Sequence, residues 1–353
     1  MTHYAMLISP SANRVYAHAA PRLTSAELAV LDATVGQGRL GSVEVVELAG
    51  VPYVAFGGDL GADDLAHVAN VSTALALFER EGDLLRPVPL HRLDRFDDDL
   101  LTILKYQGKT NEVFTRMLLN VTVQSSASAG RALTDRLRIL DPLCGRGTTL
   151  NQALMYGWHA AGVDLDERDV EAYAAFLPTW LKRKRLKHTA STSRLRRDIR
   201  TLGRRFSAEL APDKESWAAG EAITVTVDHA DTTAVPDIFK AGSFDAIVTD
   251  APYGVQHGSR SANSPSGLQR SPLDLLTEAL PGWVRVLRPG GAVGIAVNNR
   301  TSPRADTLQA LAGAGLEPLD SEPYRGFEHR VDQAIVRDIV VAVKPAAPGA
   351  GRV

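Results

Sequence analysis

From Arg131 onward the chain alternates short apolar runs with helical patterns, and this alternation restricts the fold more than any other feature of the sequence. Strands are expected at Leu137–Leu140, Ala160–Asp164, Ile223–Val227, Ala246–Thr249 and Gly294–Val297, with helices opening at Thr148 and Glu167 and another near Leu273–Leu287. Strands separated by helices pair in parallel and are covered on both faces, which makes this part an α/β domain. At its end, Ala334–Val343 is a β-branched run with no helix between it and Pro323–His329. That pattern predicts a terminal antiparallel hairpin on the parallel sheet.

The first ninety residues have a different rhythm. Strands are expected at Tyr4–Ser9, Val43–Leu48, Pro52–Phe56 and Leu84–Pro89, with helices from Thr24 or Ser25 to about Ala33 and over Asp63–Arg80. Ala49 and Gly50 separate the middle strands, where glycine supplies the positive φ of a tight reversal. The order β-α-β-β-α-β is the ferredoxin-like, α+β plan. Residues 91–130 read as connector helices, the second capped by Thr110 and carrying Phe114, Met117, Leu118 and Val121 on one side. Residues 131–345 form the α/β domain, with a basic insertion at 182–205 and a tail at 346–353 expected to be disordered.

Composition narrows the function classes. Cys144 is the only cysteine, so an internal disulfide and a multi-cysteine metal centre are excluded, no metal is expected, and a cytoplasmic location follows from the lone thiol. Neither a signal sequence nor an apolar run approaching the ~18–20 residues of a spanning helix is visible, so no membrane partner is expected. The net charge of −2 conceals an asymmetry: residues 182–205 hold eleven cations against Asp198 alone, a net +10. A polyanion meets one attractive surface on an otherwise acidic body. So one-sided a run is not expected to be laced by salt bridges within itself.

Asp141-Pro142-Leu143-Cys144-Gly145-Arg146-Gly147-Thr148-Thr149 follows an apolar strand and opens a helix. Glycines there let the backbone approach a ligand while the first helical N–H groups face an anionic group. A dinucleotide site of the G-x-G-x-x-G type needs a third glycine where Leu150 stands, which argues against NAD. Asp164, ending the next strand, suits both hydroxyls of a ribose, and Asp231, after the strand ending near Val227, suits an adenine amino group. Asp166 reads as a helix cap.

The second motif is Asp250-Ala251-Pro252-Tyr253-Gly254, delivered at the end of an apolar strand. An exocyclic amine on a base is a poor nucleophile because its lone pair is delocalised into the ring, so a site must orient it. Asp250 and a carbonyl of Ala251 or Pro252 can accept its two hydrogens while Tyr253 stacks on the base. Proline removes a backbone donor and keeps acceptors outward. Transfer then proceeds by proximity and desolvation.

With both motifs in hand, the chain from about residue 100 to 345 resembles the class I S-adenosylmethionine-dependent methyltransferases, specifically the amino-methylating group with an Asp/Asn-Pro-Pro-Tyr motif. It is most similar to the tRNA guanosine N2-methyltransferases, whose glycine loop reads Asp-Pro-x-Cys-Gly-x-Gly-Thr, as residues 141–148 do. Ala251 departs from that motif, and no room for the family's RNA-binding THUMP domain is visible beside the ferredoxin-like one. The resemblance implies a Rossmann-like domain, S-adenosylmethionine as cofactor, a nucleic-acid partner such as tRNA, and catalysis by Asp250, Pro252 and Tyr253. Candidate cofactor contacts are Phe114, Asp141, Cys144, Gly145, Gly147, Thr148, Asp164 and Asp231, and candidate substrate contacts are Lys182, Arg183, Lys184, Arg185, His257 and Asn298. Cys144 lies in the cofactor loop rather than the base motif, which disfavours carbon methylation through a thiolate adduct. The same logic admits adenine N6 or cytosine N4 of DNA, a small-molecule amine, or a non-catalytic RNA-binding scaffold.

Overall fold

A computed structural model describes residues 1–10, 14–106, 108–197, 200–253 and 271–346 of the chain. The N-terminal unit comprises β1 (Thr2–Ile8), α1 (Arg14–Leu31), β2 (Glu44–Leu48), β3 (Val51–Gly58), α2 (Ala62–Ala69), β4 (Ala74–Glu81) and β5 (Leu84–Val88). Its sheet runs β2-β3-β1-β4-β5, every pair antiparallel. The β2–β3 reversal uses Ala49 (φ 51°) and Gly50 (φ 79°), the two positive φ angles that a two-residue hairpin turn requires.

Two sequence expectations fail in this unit. The helix expected over Asp63–Arg80 stops at Ala69, because the Asn70 side chain bonds back to Ala66 O (2.9 Å) and accepts from Leu93 N (2.9 Å). Ala74–Glu81, helical by propensity, pairs instead with β1 and β5, so tertiary pairing overrides local preference. Likewise α1 begins at Arg14 rather than Thr24, whose hydroxyl bonds to Ala20 O (2.7 Å) and Thr73 (2.6 Å) inside the core.

The second unit follows α3 (Asp99–Thr102) and α4 (Glu112–Gln124) and contains β6 (Arg138–Asp141), α5 (Thr148–Met155), β7 (His159–Asp164), α6 (Glu167–Arg183), β8 (His188–Arg197), β9 (Arg200–Leu210), α7 (Lys214–Ala218), β10 (Ile223–His229), α8 (Val235–Ile238), β11 (Phe244–Asp250), α9 (Pro272–Val286), β12 (Leu287–Asn298), α10 (Arg304–Gly313), β13 (Glu317–Leu319), β14 (His329–Arg330) and β15 (Val336–Val343). The sheet order is β13-β15-β12-β11-β6-β7-β10-β9-β8, with β14 beside β15. Strands β12, β11, β6, β7 and β10 are parallel, and β15 is antiparallel to β12. This is a mixed α/β sheet. The expected terminal hairpin is realised differently: β15 lies between β12 and β13, and only His329–Arg330 of the preceding segment pairs with it. Pro323 falls in a 3-10 turn, Glu322–Arg325, where its missing N–H costs no ladder bond.

After β6 the chain adds strands on one side and then returns to add β11 and β12 on the other. The crevice at such a reversal, outside the carboxyl ends of the strands, is where ligands bind in open α/β sheets. Asp141 ends β6 and Asp250 ends its neighbour β11, so the two sequence motifs flank this crevice. The basic stretch is the end of α6 plus the β8–β9 hairpin, which extends the sheet at its edge.

One hydrophobic cluster runs through both units, from Met6, Leu23 and Leu28 through Phe114 and Met117 to Leu150 and Tyr173. A polar weld crosses it: the buried Glu27 of α1 accepts from Ser72 and from Asn120 Nδ2 (2.7 Å) of α4, and Asn120 Oδ1 accepts from Tyr156 OH (2.9 Å). Burial raises the Glu27 carboxyl, and these donors offset part of the shift. Helix α4 lies against β12 at Gly294, where a Cβ would come within 1.7 Å of the Thr122 hydroxyl. No helix among the described residues is long and apolar enough to cross a membrane.

Candidate active site

The glycine loop is built from inside outward. Asp141 is buried and accepts from Thr249 Oγ1 of β11 (2.7 Å) and from Leu143 N (3.1 Å), so it fixes the loop's first turn and ties β6 to β11. Burial lifts its carboxyl to about 7, against the pull of those donors. As a buried support, Asp141 offers no surface to a cofactor, which corrects its expected contact role. Cys144 is also buried, beneath Gly162, where a Cβ would fall 2.6 Å from its Sγ. Burial and the surrounding carboxylates push its thiol well up, so it is no nucleophile.

Two glycines then turn in the left-handed region. Gly147 (φ 80°) is pressed against Tyr173, whose ring carbon would lie 2.4 Å from an added Cβ, whereas nothing lies within 4 Å of one at Gly145 (φ 48°). The loop is therefore packed on its inner side and open at Gly145. Gly145 N donates to Asp164 Oδ2 (2.7 Å) at the end of β7, and Asp164 Oδ1 accepts from Asp166 N (2.8 Å). Burial raises the Asp164 carboxyl. Thr148 meets Tyr106 OH (3.2 Å), and the Arg146 guanidinium lies 4.9 Å from the Tyr106 ring centre while its Nε bonds Asp169 (2.7 Å). Asp166 caps α6, as its sequence position predicts. Asp231 caps a turn, accepting from Thr233 N (2.9 Å) and Thr233 Oγ1 (2.7 Å), yet stays half-buried at the same edge as Asp164. An open glycine backbone beside a half-exposed strand-end carboxylate fits a nucleoside-bearing cofactor: Asp164 can take ribose hydroxyls and Gly145 tolerates close approach.

The second half of the crevice centres on Asp250. One carboxylate oxygen accepts from the Thr110 hydroxyl and the other from the Tyr253 hydroxyl. Tyr253 OH in turn accepts from Arg337 Nε of β15 (2.6 Å), and burial together with the Asp250 charge pushes the phenol well up. The Arg337 guanidinium lies between two rings, 4.6 Å from the centre of Phe114 and 5.1 Å from that of Tyr253. Ala251 is held by its N–H to Ala296 O (2.9 Å), and Thr301 Oγ1 donates to Tyr253 O (3.2 Å). Pro252 follows between them, half-buried. A cavity of about 270 Å³ adjoins this cluster, lined by Tyr16, Lys109, Thr110, His329 and Arg337 among others.

Several candidate residues stand elsewhere than expected. Thr110 does not cap α4; Asn111 does, accepting from Val113 N and Phe114 N, which leaves the Thr110 hydroxyl for Asp250. Phe114 is fully buried under Arg337 and His329, so it supports the Asp250 side and has no face for a cofactor. Asn298 is buried, holding Arg300 N, Val336 N and Ala334 O, and lines no substrate surface. Lys184 is bound to Asp97 and Asp99 (2.7 Å each), while Lys182, Arg183 and Arg185 are exposed. Arg204 pairs with Glu167 and Glu171, and Arg205 with the buried Asp228, so partners from outside the basic stretch neutralise part of it. His257 and residues 347–353 of the expected tail lie outside the described residues. Sequence reasoning missed Thr110 and Arg337; the signal for the latter was a charged pair, Arg337-Asp338, inside an otherwise apolar strand.

Residues 129–292 match the family described as UPF0020: RMKL-like, methyltransferase domain. Among solved structures the chain is similar to TrmN from Thermus thermophilus at 15% identity, over 98% of this chain and 100% of that one, with a TM-score of 0.45. It is also similar to the 1,6-didemethyltoxoflavin-N1-methyltransferase of Burkholderia thailandensis, solved with S-adenosylhomocysteine (17% identity, 63% and 76% covered, TM-score 0.34). A TehB-like methyltransferase from Corynebacterium glutamicum is a third (18% identity, 62% and 84% covered, TM-score 0.32). No curated protein matches the chain in sequence. The chain carries a methyltransferase domain, and it is an S-adenosylmethionine-dependent methyltransferase.

Proposed function

We propose that the protein methylates an exocyclic amine of a nucleic-acid base, guanine N2 of tRNA, and that the N-terminal unit is a ferredoxin-like domain joined by the connector at 91–130. The observation that carries this reading is the Asp250 carboxylate at the crevice, with each oxygen held by a hydroxyl donor that an amine can replace. The cofactor supplies an electrophilic methyl group on a sulfonium. Gly145, Asp164 and Asp231 hold it on one side of the crevice. On the other, Asp250 and a carbonyl of the Ala251-Pro252 segment accept the two amine hydrogens, turning the nitrogen lone pair toward the methyl carbon, and Tyr253 stacks on the base. Lys182, Arg183 and Arg185, exposed near the end of α6, supply phosphate contacts. The lone, buried thiol suits a cytoplasmic protein.

The experiment is nucleoside mass spectrometry of tRNA incubated with S-adenosylmethionine and either wild type or Asp250→Ala. Methylated guanosine from wild type is expected, with turnover of the variant reduced at least about 100-fold and cofactor affinity retained, since a lost orienting acceptor costs about 3 kcal/mol. Product on adenine or cytosine, or activity of the variant within about threefold of wild type, refutes the assignment.

A further inference from the structure

The cavity beside Asp250 contains an arginine whose binding capacity the fold does not use. Arg337 is 6% exposed, and it meets the Asp250 carboxylate through the Tyr253 hydroxyl. Its Nε donates to Tyr253 OH, while its two terminal amino groups have no hydrogen-bond partner among the described residues and the side chain lines the cavity. The surroundings explain its retention only in part. The Phe114 and Tyr253 rings offer π-faces to the cation, but a guanidinium's fork of donors remains aimed into the cavity. A ligand acceptor that enters the cavity can therefore pair with this fork of donors.

The other charged groups at the cavity are held within the protein. Lys109 is held by Glu112 (2.5 Å) and by Leu101 O (2.5 Å). His329 gives Nδ1 to Phe327 O (2.9 Å) and is kept neutral by burial, while its buried Nε2 has no partner among the described residues. Arg330 is exposed and bonds Asp332 O (3.0 Å). Among the described residues lining the cavity, Arg337 is therefore the buried cation left to meet a ligand. Only the Tyr253 hydroxyl separates it from the Asp250 carboxylate, so an acceptor for an amine and a donor for a carbonyl stand two hydrogen bonds apart.

We infer that Arg337 reads the carbonyl of the target base and so selects guanine over adenine at this site. The inference rests on the base-amine reading of Asp250 and deepens it. Guanine carries its 2-amino group and 6-carbonyl on either side of one ring N–H, which matches a carboxylate that takes the amine and ring N–H and a guanidinium that takes the oxygen. Adenine has an amine but no carbonyl, and would leave Arg337 unpaired. Cytosine has both, but its intervening ring nitrogen is an acceptor and faces the carboxylate unfavourably. A phosphate suits an arginine, yet here it would stand beside the Asp250 charge.

The test uses the full chain with S-adenosylhomocysteine present. The fluorescent 2-aminopurine riboside monophosphate, which lacks both the 6-oxygen and the ring N–H of guanylate, is titrated directly, and guanylate, adenylate and cytidylate are titrated as competitors. Wild type is expected to bind guanylate at least about tenfold more tightly than the 2-aminopurine analogue or adenylate, the preference a charged hydrogen bond supplies. Arg337→Met should shrink the preference for guanylate over 2-aminopurine at least about fivefold, the remainder belonging to the ring N–H at Asp250, and Arg337→Lys, which keeps the charge without the fork, should restore part of it. Unchanged S-adenosylhomocysteine affinity reports that each variant is folded. Equal affinities in wild type, no nucleotide binding, tighter binding of cytidylate than guanylate, or a preference undiminished in Arg337→Met overturns the inference. Guanylate preference reduced in Arg337→Met, together with no methylation of tRNA guanine by wild type, leaves the base-reading role standing and removes the proposed reaction.

Discussion

Gly147→Ala isolates what the glycine loop demands of its sequence, because Gly145→Ala provides an internal control. Both positions adopt positive φ, 80° and 48°, so each alanine carries the left-handed backbone cost of about 1–2 kcal/mol. They differ in surroundings. At Gly145 the new methyl meets nothing within 4 Å, but at Gly147 it meets Tyr173 Cε2 at 2.4 Å and Cδ2 at 2.5 Å. Tyr173 cannot yield easily: it is fully buried, its hydroxyl donates to Asn151 Oδ1 (3.0 Å), and its ring packs edge-on to Phe206. Overpacking of such a site adds about 1–3 kcal/mol. Gly147→Ala should therefore lose about 2–5 kcal/mol and Gly145→Ala about 1–2 kcal/mol. Urea unfolding of the cofactor-free proteins measures both, and calorimetric titration with S-adenosylmethionine shows whether the displaced loop also loses affinity. Tyr173→Leu should relieve part of the Gly147→Ala loss, giving a coupling of about 1 kcal/mol or more in a double-mutant cycle. Equal losses for the two alanines, or no coupling to Tyr173, would refute the argument from close approach.

Two further outcomes are expected. His329, lowered to about 4 by burial, binds its proton in the unfolded chain below about pH 6.5 but not in the folded one, so it loses about 2 kcal/mol of stability between pH 7 and 5; Asp141, raised to about 7, keeps its proton in the folded state and gains about 2 kcal/mol over the same range. Relative to wild type, His329→Gln should thus gain and Asp141→Asn should lose on acidification, and urea unfolding at the two pH values decides whether either sign is wrong. In salt titrations of RNA binding, replacing Lys182, Arg183 and Arg185 by Gln should flatten the log–log slope by up to about 2, at roughly 0.7 per phosphate of a single strand, whereas adding Lys184→Gln should change it little because Asp97 and Asp99 already hold that charge; an unchanged slope in the triple variant excludes these side chains as phosphate contacts.

The glycine-loop side of the crevice was legible in the sequence and the surroundings of Asp250 largely were not, for a physical reason. Residues 141–148 and Asp164 act within one strand–loop–helix unit and the next strand, so spacing along the chain reports spacing in space. Asp250 was visible for the same reason, at the end of an apolar strand. Its partners come from 140 residues earlier, Thr110, and 84 residues beyond Tyr253, Arg337. Local rules even misdirected: Thr110 reads as a helix cap because a hydroxyl before an acidic first turn usually is one, and the adjacent Asn111 takes that role. The basic stretch shows the opposite limit. Its composition is plain in the sequence, but which cations are free depends on acids at Asp97, Asp99, Glu167, Glu171 and Asp228 that only the fold brings to it. In the N-terminal unit, Ala74–Glu81 is read correctly only once β1 is known to lie beside it.

The connector links the two sides of the crevice. Tyr106 lies over Arg146 and meets Thr148 of the glycine loop, while Thr110, four residues on, donates to Asp250. A short segment therefore touches the start of α5 and the carboxylate proposed to orient the amine. The hydroxyls of Thr110 and Tyr253 keep that carboxylate hydrogen-bonded when no base is present, which avoids the cost of a buried, unpaired charge. Under the proposed reaction, an arriving amine exchanges donors at Asp250 rather than desolvating a bare carboxylate, so the exchange itself costs little. Release of the Tyr253 hydroxyl frees its ring to stack and frees Arg337 Nε for an incoming acceptor, so the contacts that satisfy Asp250 in the empty crevice are those that recognise a base when it enters.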